Sequence, residues 1–227
     1  DDSVKLKWSA NDFGGNIDVC PIVVGDNVHV LASNGELYAY NKTEGKPIWH
    51  ATLDAASILH SSIPAYGDGN LFVVTEGGNL YAYNASTGTL KWKVHVTDIG
   101  PESPVTYYDH RVYLAEGLEG GVDTKYYYCY DDLGNLLWKH ATPNTSGFIW
   151  NGASVVGNYL IYSTHEGNLT CLDRKTGTLI DEVSLDSDVS NRISFAIPEP
   201  GRFRSSVAYH DGSFYTTSEL AQETGYV

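Results

Sequence analysis

Carboxylates, imidazoles and one tryptophan that stands apart from the others are the side chains in these 227 residues with chemistry to offer. Glu116, Glu119 and Asp123 fall in one polar run ending at Lys125, His165 and Glu166 are adjacent, and Glu219 and Glu223 share another run. Such groups could hold a cation such as Ca2+ or grip a polar ligand. Paired carboxylates could also serve glycoside chemistry, but no spacing here fixes their separation. The hydrolase and phosphate-binding signatures are missing: no Gly-x-Ser-x-Gly, no His-Glu-x-x-His and no Gly-rich loop before a helix. The three cysteines, Cys20, Cys129 and Cys171, have neither zinc-ligand spacing nor an even count, and read as small, buried packing residues.

Those side chains need elements to position them, and an internal repeat supplies the elements. Glu36–Trp49, Asn79–Trp92, Tyr126–Trp138 and Asn168–Asp181 can be laid on one another. Each reads as an alternating strand, a polar turn closed by Gly45, Gly88, Gly134 or Gly177, and a second strand. Trp8, Trp49, Trp92 and Trp138 recur at intervals of 41, 43 and 46 residues, the length of a four-stranded propeller blade. Upstream of each hairpin lie two more short strands, as in Ser62–Tyr66 and Leu71–Thr75 around a Gly-Asp-Gly turn. The expected fold is therefore an all-β propeller of four-stranded antiparallel blades forming one domain, 1–227. The blades are placed at 18–53, 60–97, 101–142, 150–186 and 203–227, the last completed by a strand at 4–8. Donation of that N-terminal strand would cover an open sheet edge.

The pattern Ala-x-Asn/Asp-x-x-x-Gly-x-x-x-Trp is complete at Ala39–Trp49 and Ala82–Trp92. It resembles the tryptophan-docking repeat of the quinoprotein-type, or PQQ-like, β-propellers. That group includes PQQ-dependent alcohol dehydrogenases, the bacterial outer-membrane assembly lipoprotein, and secreted or surface repeat proteins. The third copy is one residue short in its turn, and the fourth has Asp181 where Trp is expected. Family rings usually have seven or eight blades, so five imply a small ring or a fragment of a larger one, and the absence of Met implies processing or a cut chain. The resemblance implies, for the dehydrogenases, PQQ over Ca2+ with an adjacent-cysteine disulfide. No two cysteines here are adjacent, so no cofactor is expected, with Ca2+ kept as a candidate ligand.

In a propeller the first strand of each blade lines the channel, and the residues before it stand at one mouth. Alignment puts Asp18, His60, Ser61, Glu102, Trp150, Asn151, Phe203 and Arg204 there, with the 116–125 and 218–224 loops reaching the same face. Two readings of this face stand side by side: solvated loops, or a surface for a partner or ligand. Trp8, Trp49, Trp92 and Trp138 are expected to be packing anchors, and the strand-end histidines His50, His95 and His140, each within three residues after a Trp, mark the repeat rather than catalysis.

A net charge of −14 disfavours nucleic acid, and no run approaches the ~18 apolar residues of a membrane span. Sequons at Asn41, Asn84, Asn144 and Asn168 are candidate glycosylation sites, although Asn is also a common turn residue. With the family's habit of export, they suggest an extracytoplasmic, secreted or surface protein. The expected function is a non-catalytic scaffold or binding module for protein or glycan partners. The alternative is a ligand- or metal-binding enzyme of the quinoprotein dehydrogenase type using the channel mouth.

Overall fold

The computed structural model describes residues 4–53, 63–117, 124–143, 145, 147–148, 150–165, 167–184, 202–203, 205–219 and 225–226. These residues are all-β, with no helix among them. Four meandering antiparallel sheets of four strands follow in chain order. The first holds β1 (Ile22–Val24), β2 (Asn27–Leu31), β3 (Glu36–Asn41) and β4 (Pro47–Thr52). The second holds β5 (Ala65–Gly67), β6 (Asn70–Val74), β7 (Asn79–Asn84) and β8 (Leu90–His95). The third holds β9 (Thr106–Tyr108), β10 (Arg111–Ala115), β11 (Thr124–Asp131) and β12 (Leu136–Pro143). The fourth holds β13 (Ser154–Val156), β14 (Tyr159–Ser163), β15 (Asn168–Asp173) and β16 (Leu179–Ser184).

Each sheet is a blade, and in the second and third the two middle strands are buried on both faces against neighbouring sheets. Side chains alternate across a strand, and β6 and β7 show the result. Phe72, Val74, Leu80 and Ala82 pack with Val105, Val112 and Leu114 of the third blade. Val73, Tyr81 and Tyr83 point the other way, onto Leu31, Leu37 and Trp49 of the first. The third seam joins Tyr113, Tyr127 and Trp138 to Phe148, Leu160 and Tyr162. Each fully buried Val or Leu in these seams contributes about 2 kcal/mol by its removal from water. The first strands β1, β5 and β9 lie beside one another in order, as do β13 and β18. This is the propeller arrangement.

The repeat is exact at the level of register. Ala39 faces Trp49, Ala82 faces Trp92, Cys129 faces Trp138 and Cys171 faces Asp181. A bulge follows the Ala or Cys in every blade. Asp181 thus occupies the tryptophan position of the fourth blade. The one-residue-short turn of the third blade is absorbed at Asp131, whose carboxylate accepts from the backbone of Leu133 and Asn135.

Within the segment 203–227 the described residues form a short hairpin, β18 (Ala208–His210) with β19 (Ser213–Tyr215). A separate small sheet holds β17 (Arg202–Phe203), β20 (Ser218–Glu219) and β21 (Gly225–Tyr226). Val4–Trp8 pairs with no strand among the described residues, and Val4 and Leu6 are exposed. Trp8 nevertheless takes its repeat role on the first blade. Its Nε1 donates to the Lys42 carbonyl at 2.9 Å, and its ring stands against Gly45.

Candidate functional site

The two ends of the blades differ in what builds them. At one end, two-residue turns join first to second strands and Asx turns join third to fourth. The turn pairs Asp68-Gly69 and Asp109-His110 have positive φ throughout, as the twist of tight hairpins requires. In the Asx turns, the side-chain oxygens of Asn41, Asn84, Asp131 and Asp173 accept backbone N–H groups two to four residues ahead. The four residues are equivalent, and two are aspartates. The turn itself therefore accounts for the asparagine in the first two sequons. Asn168 opens β15, and Asn144 lies outside the described residues.

The opposite end, where the predicted mouth residues belong, carries the second-to-third-strand loops and the connections between blades. The structure brings Glu102, Glu116 and Trp150 together at the junction of the third and fourth blades. Trp150 N donates to the Glu102 carbonyl at 3.0 Å, and Phe148 N to the Glu116 carbonyl at 3.0 Å. Gly117 N donates to the Gly100 carbonyl at 3.0 Å. Glu102 is half-buried, and Trp150 is 39% exposed with a left-handed φ of +59°. A bulky residue held at positive φ is strained, and such strain clusters at functional positions.

Two expected ligand groups are built into the framework instead. Glu116 is buried, its carboxylate accepting from Thr97 Oγ1 (2.9 Å), Tyr126 N (2.9 Å) and the Tyr128 hydroxyl (2.5 Å). Burial and this contact hold the Tyr128 phenol protonated far above its ordinary range. Asn151 is fully buried and donates to the Ser163 carbonyl at 2.9 Å. Asp18 is exposed beside the first blade, where Ser33 N bonds the Asn16 carbonyl, and His165 is buried. Phe203 lies in β17. His60, Ser61, Glu119, Asp123, Glu166, Arg204 and Glu223 lie outside the described residues, and so does the side chain of Glu219.

The repeat tryptophans and strand-end histidines have the following contacts. Trp49, Trp92 and Trp138 donate Nε1 to the carbonyls of Ala85 (3.0 Å), Asp132 (2.9 Å) and Arg174 (3.1 Å) in the next blade. His50 contacts Glu36, His95 reaches Asp98 at 2.9 Å, and His140 lies 3.0 Å from the Gly177 carbonyl. Cys129 is buried in a seam, where desolvation pushes its thiol up to about 12, and Cys171 is half-buried. Cys20 corrects the expectation of burial: it is exposed, because it stands in the unpaired run before β1.

Sequence reasoning missed a polar seam at the turn end. Asp68, His110 and Asp132 converge between the second and third blades, and Asp109 pairs with Arg174 between the third and fourth at 2.7 Å. Arg174 is buried, donates Nε to the Gly157 carbonyl at 2.8 Å and lies over the Tyr108 ring. The repeat alignment offered one signal, since the residue after each Asx position reads Lys42, Ala85, Asp132, Arg174.

Fold, register and docking tryptophans define a PQQ-like repeat β-propeller. Residues 33–219 match the family described as outer membrane protein assembly factor BamB, and the chain belongs to that family. Over 170 residues, 63% of the chain, it is 29% identical to a protein named tetrathionate hydrolase from Acidithiobacillus ferrooxidans, and it spans about a third (32%) of that relative. Among solved structures it resembles the quinohemoprotein alcohol dehydrogenase of Comamonas testosteroni (TM-score 0.68, 15% identity, 90% of this chain and 39% of that one). The quinohemoprotein alcohol dehydrogenase ADHIIG of Pseudomonas putida HK5 is similar to the same degree (TM-score 0.67, 15% identity, 92% and 39%). At this identity the likeness concerns the fold.

The adjacent-cysteine disulfide that the dehydrogenase resemblance implies is not present in this sequence. Cys20 precedes β1, Cys129 is enclosed in a blade seam and Cys171 faces Asp181, so no adjacent pair is present. No helix among the described residues is long and apolar enough to cross a membrane.

Proposed function

We propose that this propeller is an extracytoplasmic, non-catalytic binding module whose mouth face, centred on Trp150, takes a protein or glycan partner. The observation that carries this reading is the Trp150 backbone, held in a left-handed conformation while 39% of the residue meets solvent. An indole offers a rigid apolar face to a sugar ring or an apolar side chain at little entropic cost. At the same junction the Glu116 carboxylate is committed to three internal hydrogen bonds. That commitment suits a support better than a proton shuttle. The net charge of −14 favours a neutral or basic partner over nucleic acid.

Site-specific photo-crosslinking in the native host tests this reading. Crosslinkers at Asp18 and Glu102, which leave the Trp150 indole in place, report on the mouth face, and those at Asp26 and Lys175 on the turn end. Discrete adducts from Glu102, absent from Asp26 and Lys175, are expected. Equal labelling from both ends, or none from Glu102, overturns the proposal.

A second reading is favoured by one observation, the similarity to a protein named tetrathionate hydrolase. Under it the propeller acts on an oxidised sulfur anion, and the full-length protein consumes tetrathionate. Turnover that survives removal of contaminating activity would replace the non-catalytic reading.

A further inference from the structure

We propose that Asp68, His110 and Asp132 form a zinc(II) site that clamps the second blade to the third. His110 Nδ1 stands 2.9 Å from Asp68 Oδ2 and 2.8 Å from Asp132 Oδ2, and the three ligand atoms lie within 4.8 Å of one another. Asp68 comes from the β5–β6 turn, His110 from the β9–β10 turn and Asp132 from the β11–β12 turn, so the cluster ties three turns and two blades.

The neighbouring seam offers a comparison for this position, which is Ala85 in the second blade. Between the third and fourth blades, Asp109 of a first-to-second-strand turn meets Arg174, the residue after the Asx position, at 2.7 Å. In the first blade the same position is Lys42, paired with Asp26 at 3.1 Å. Between the second and third blades it is Asp132, a second carboxylate facing the aspartate turn. The cation that Lys42 and Arg174 supply elsewhere is replaced there by a carboxylate and an imidazole converging on one point.

The Asp68 carboxylate is also held by an outer partner, as metal ligands are. The Tyr107 hydroxyl donates to Asp68 Oδ2 at 2.7 Å, and its ring stacks on Phe72 with centroids 5.1 Å apart. The Asp132 backbone is anchored in turn, its carbonyl accepting the Trp92 indole N–H at 2.9 Å. One imidazole nitrogen and two carboxylate oxygens suit a borderline ion of low coordination number. Ca2+, which takes six to eight oxygens, is poorly matched. Zinc enters where the bridging proton of Nδ1 stands, with water filling the remaining position. Bonds of 2.0–2.1 Å in a tetrahedron separate ligand atoms by roughly 3.3 Å, so the exposed turns open by roughly half an ångström.

The test is calorimetric titration of chelator-stripped protein with ZnCl2 at pH 7.5, with metal analysis after dialysis. One ion per chain is expected, with affinity reduced at least tenfold in both His110→Ala and Asp132→Asn. Zinc should raise the thermal midpoint of the wild type and leave that of the variants unchanged. Asp68→Asn, which keeps an acceptor for Tyr107, guards against a folding defect and should also weaken binding. Cobalt(II) should give the visible absorption of a four-coordinate site. No stoichiometric zinc overturns the proposal. So does binding that survives His110→Ala but is lost in His95→Ala, or equal affinity for Ca2+.

Discussion

The indole of Trp49 occupies the space that a side chain on Gly88 would need. A Cβ at Gly88 would come 2.6 Å from the ring, while Trp49 Nε1 donates to the Ala85 carbonyl three residues earlier. The same pair recurs as Trp8 on Gly45, Trp92 on Gly134 and Trp138 on Gly177. Each blade is therefore fastened to the next by one residue type that must be large and another that must be absent of side chain.

Gly88→Ala should destabilise the protein by about 2–4 kcal/mol in urea unfolding, combining strain at positive φ with a clash against the ring. Gly69→Ala separates the two effects. Gly69 has φ +79° but nothing within 4 Å of its Cβ position. Its substitution should cost about 1 kcal/mol, the backbone part alone. Equal losses at the two positions would show that the indole yields freely.

Arg174 fastens the next seam by charge as well as by packing. It is 5% exposed, bonded to Asp109 and the Gly157 carbonyl, and set over the Tyr108 ring. Arg174→Lys cannot reproduce a planar fork reaching two acceptors while stacking on a ring. It should lose roughly 2 kcal/mol, close to Arg174→Ala. A fully stable lysine variant would show that net charge alone suffices there.

How far the sequence reveals this molecule depends on the distance over which each feature is written. The Ala39–Trp49 hairpin and its copies are local: period-two alternation, an Asx residue and a glycine lie within eleven residues, and the register follows. Glu102 and Trp150 could be read as equivalent positions because each stands at a fixed offset before a first strand. That Glu116 and Asn151 are consumed internally could not be read, since Thr97, Tyr128 and Ser163 reach them only after the strands pair. The Asp68–His110–Asp132 cluster was hidden for a related reason: its members come from two repeats and look like ordinary turn residues. Cys20 misled because its repeat position is buried in another blade, at Ser103, and open in the first.

His29 predicts an acid weakness in the first seam. It is 2% exposed beside Trp49, neither ring nitrogen has a partner among the described residues, and burial lowers its pKa to about 4. The unfolded chain therefore binds a proton near pH 6.5 that the folded chain refuses. Stability is full above pH 6.5, falls as pH drops toward 4, and loses about 3 kcal/mol in all. His29→Phe should flatten this part of the profile. Comparing wild type and variant by urea unfolding at pH 7.5, 5.5 and 4 isolates it from other groups, and parallel profiles would exclude the effect.

Trp150 gives the sharpest separation between support and recognition. Its indole is partly packed, so truncation costs some stability, but its φ of +59° reverses the usual order of the small replacements. At ordinary positions Ala is the more stable substitute; here Gly adopts the left-handed backbone without penalty and should exceed Ala by about 1 kcal/mol. Both variants lack the indole and should lose the mouth-face crosslinks equally. Glu116→Ala should behave oppositely. It strands the Tyr128 hydroxyl, Thr97 and Tyr126 N–H, lowers stability by roughly 3 kcal/mol, and leaves the crosslinks intact in the folded fraction. If Trp150→Gly matched Ala in stability and kept the crosslinks, neither the strain nor the exposed ring would be serving recognition.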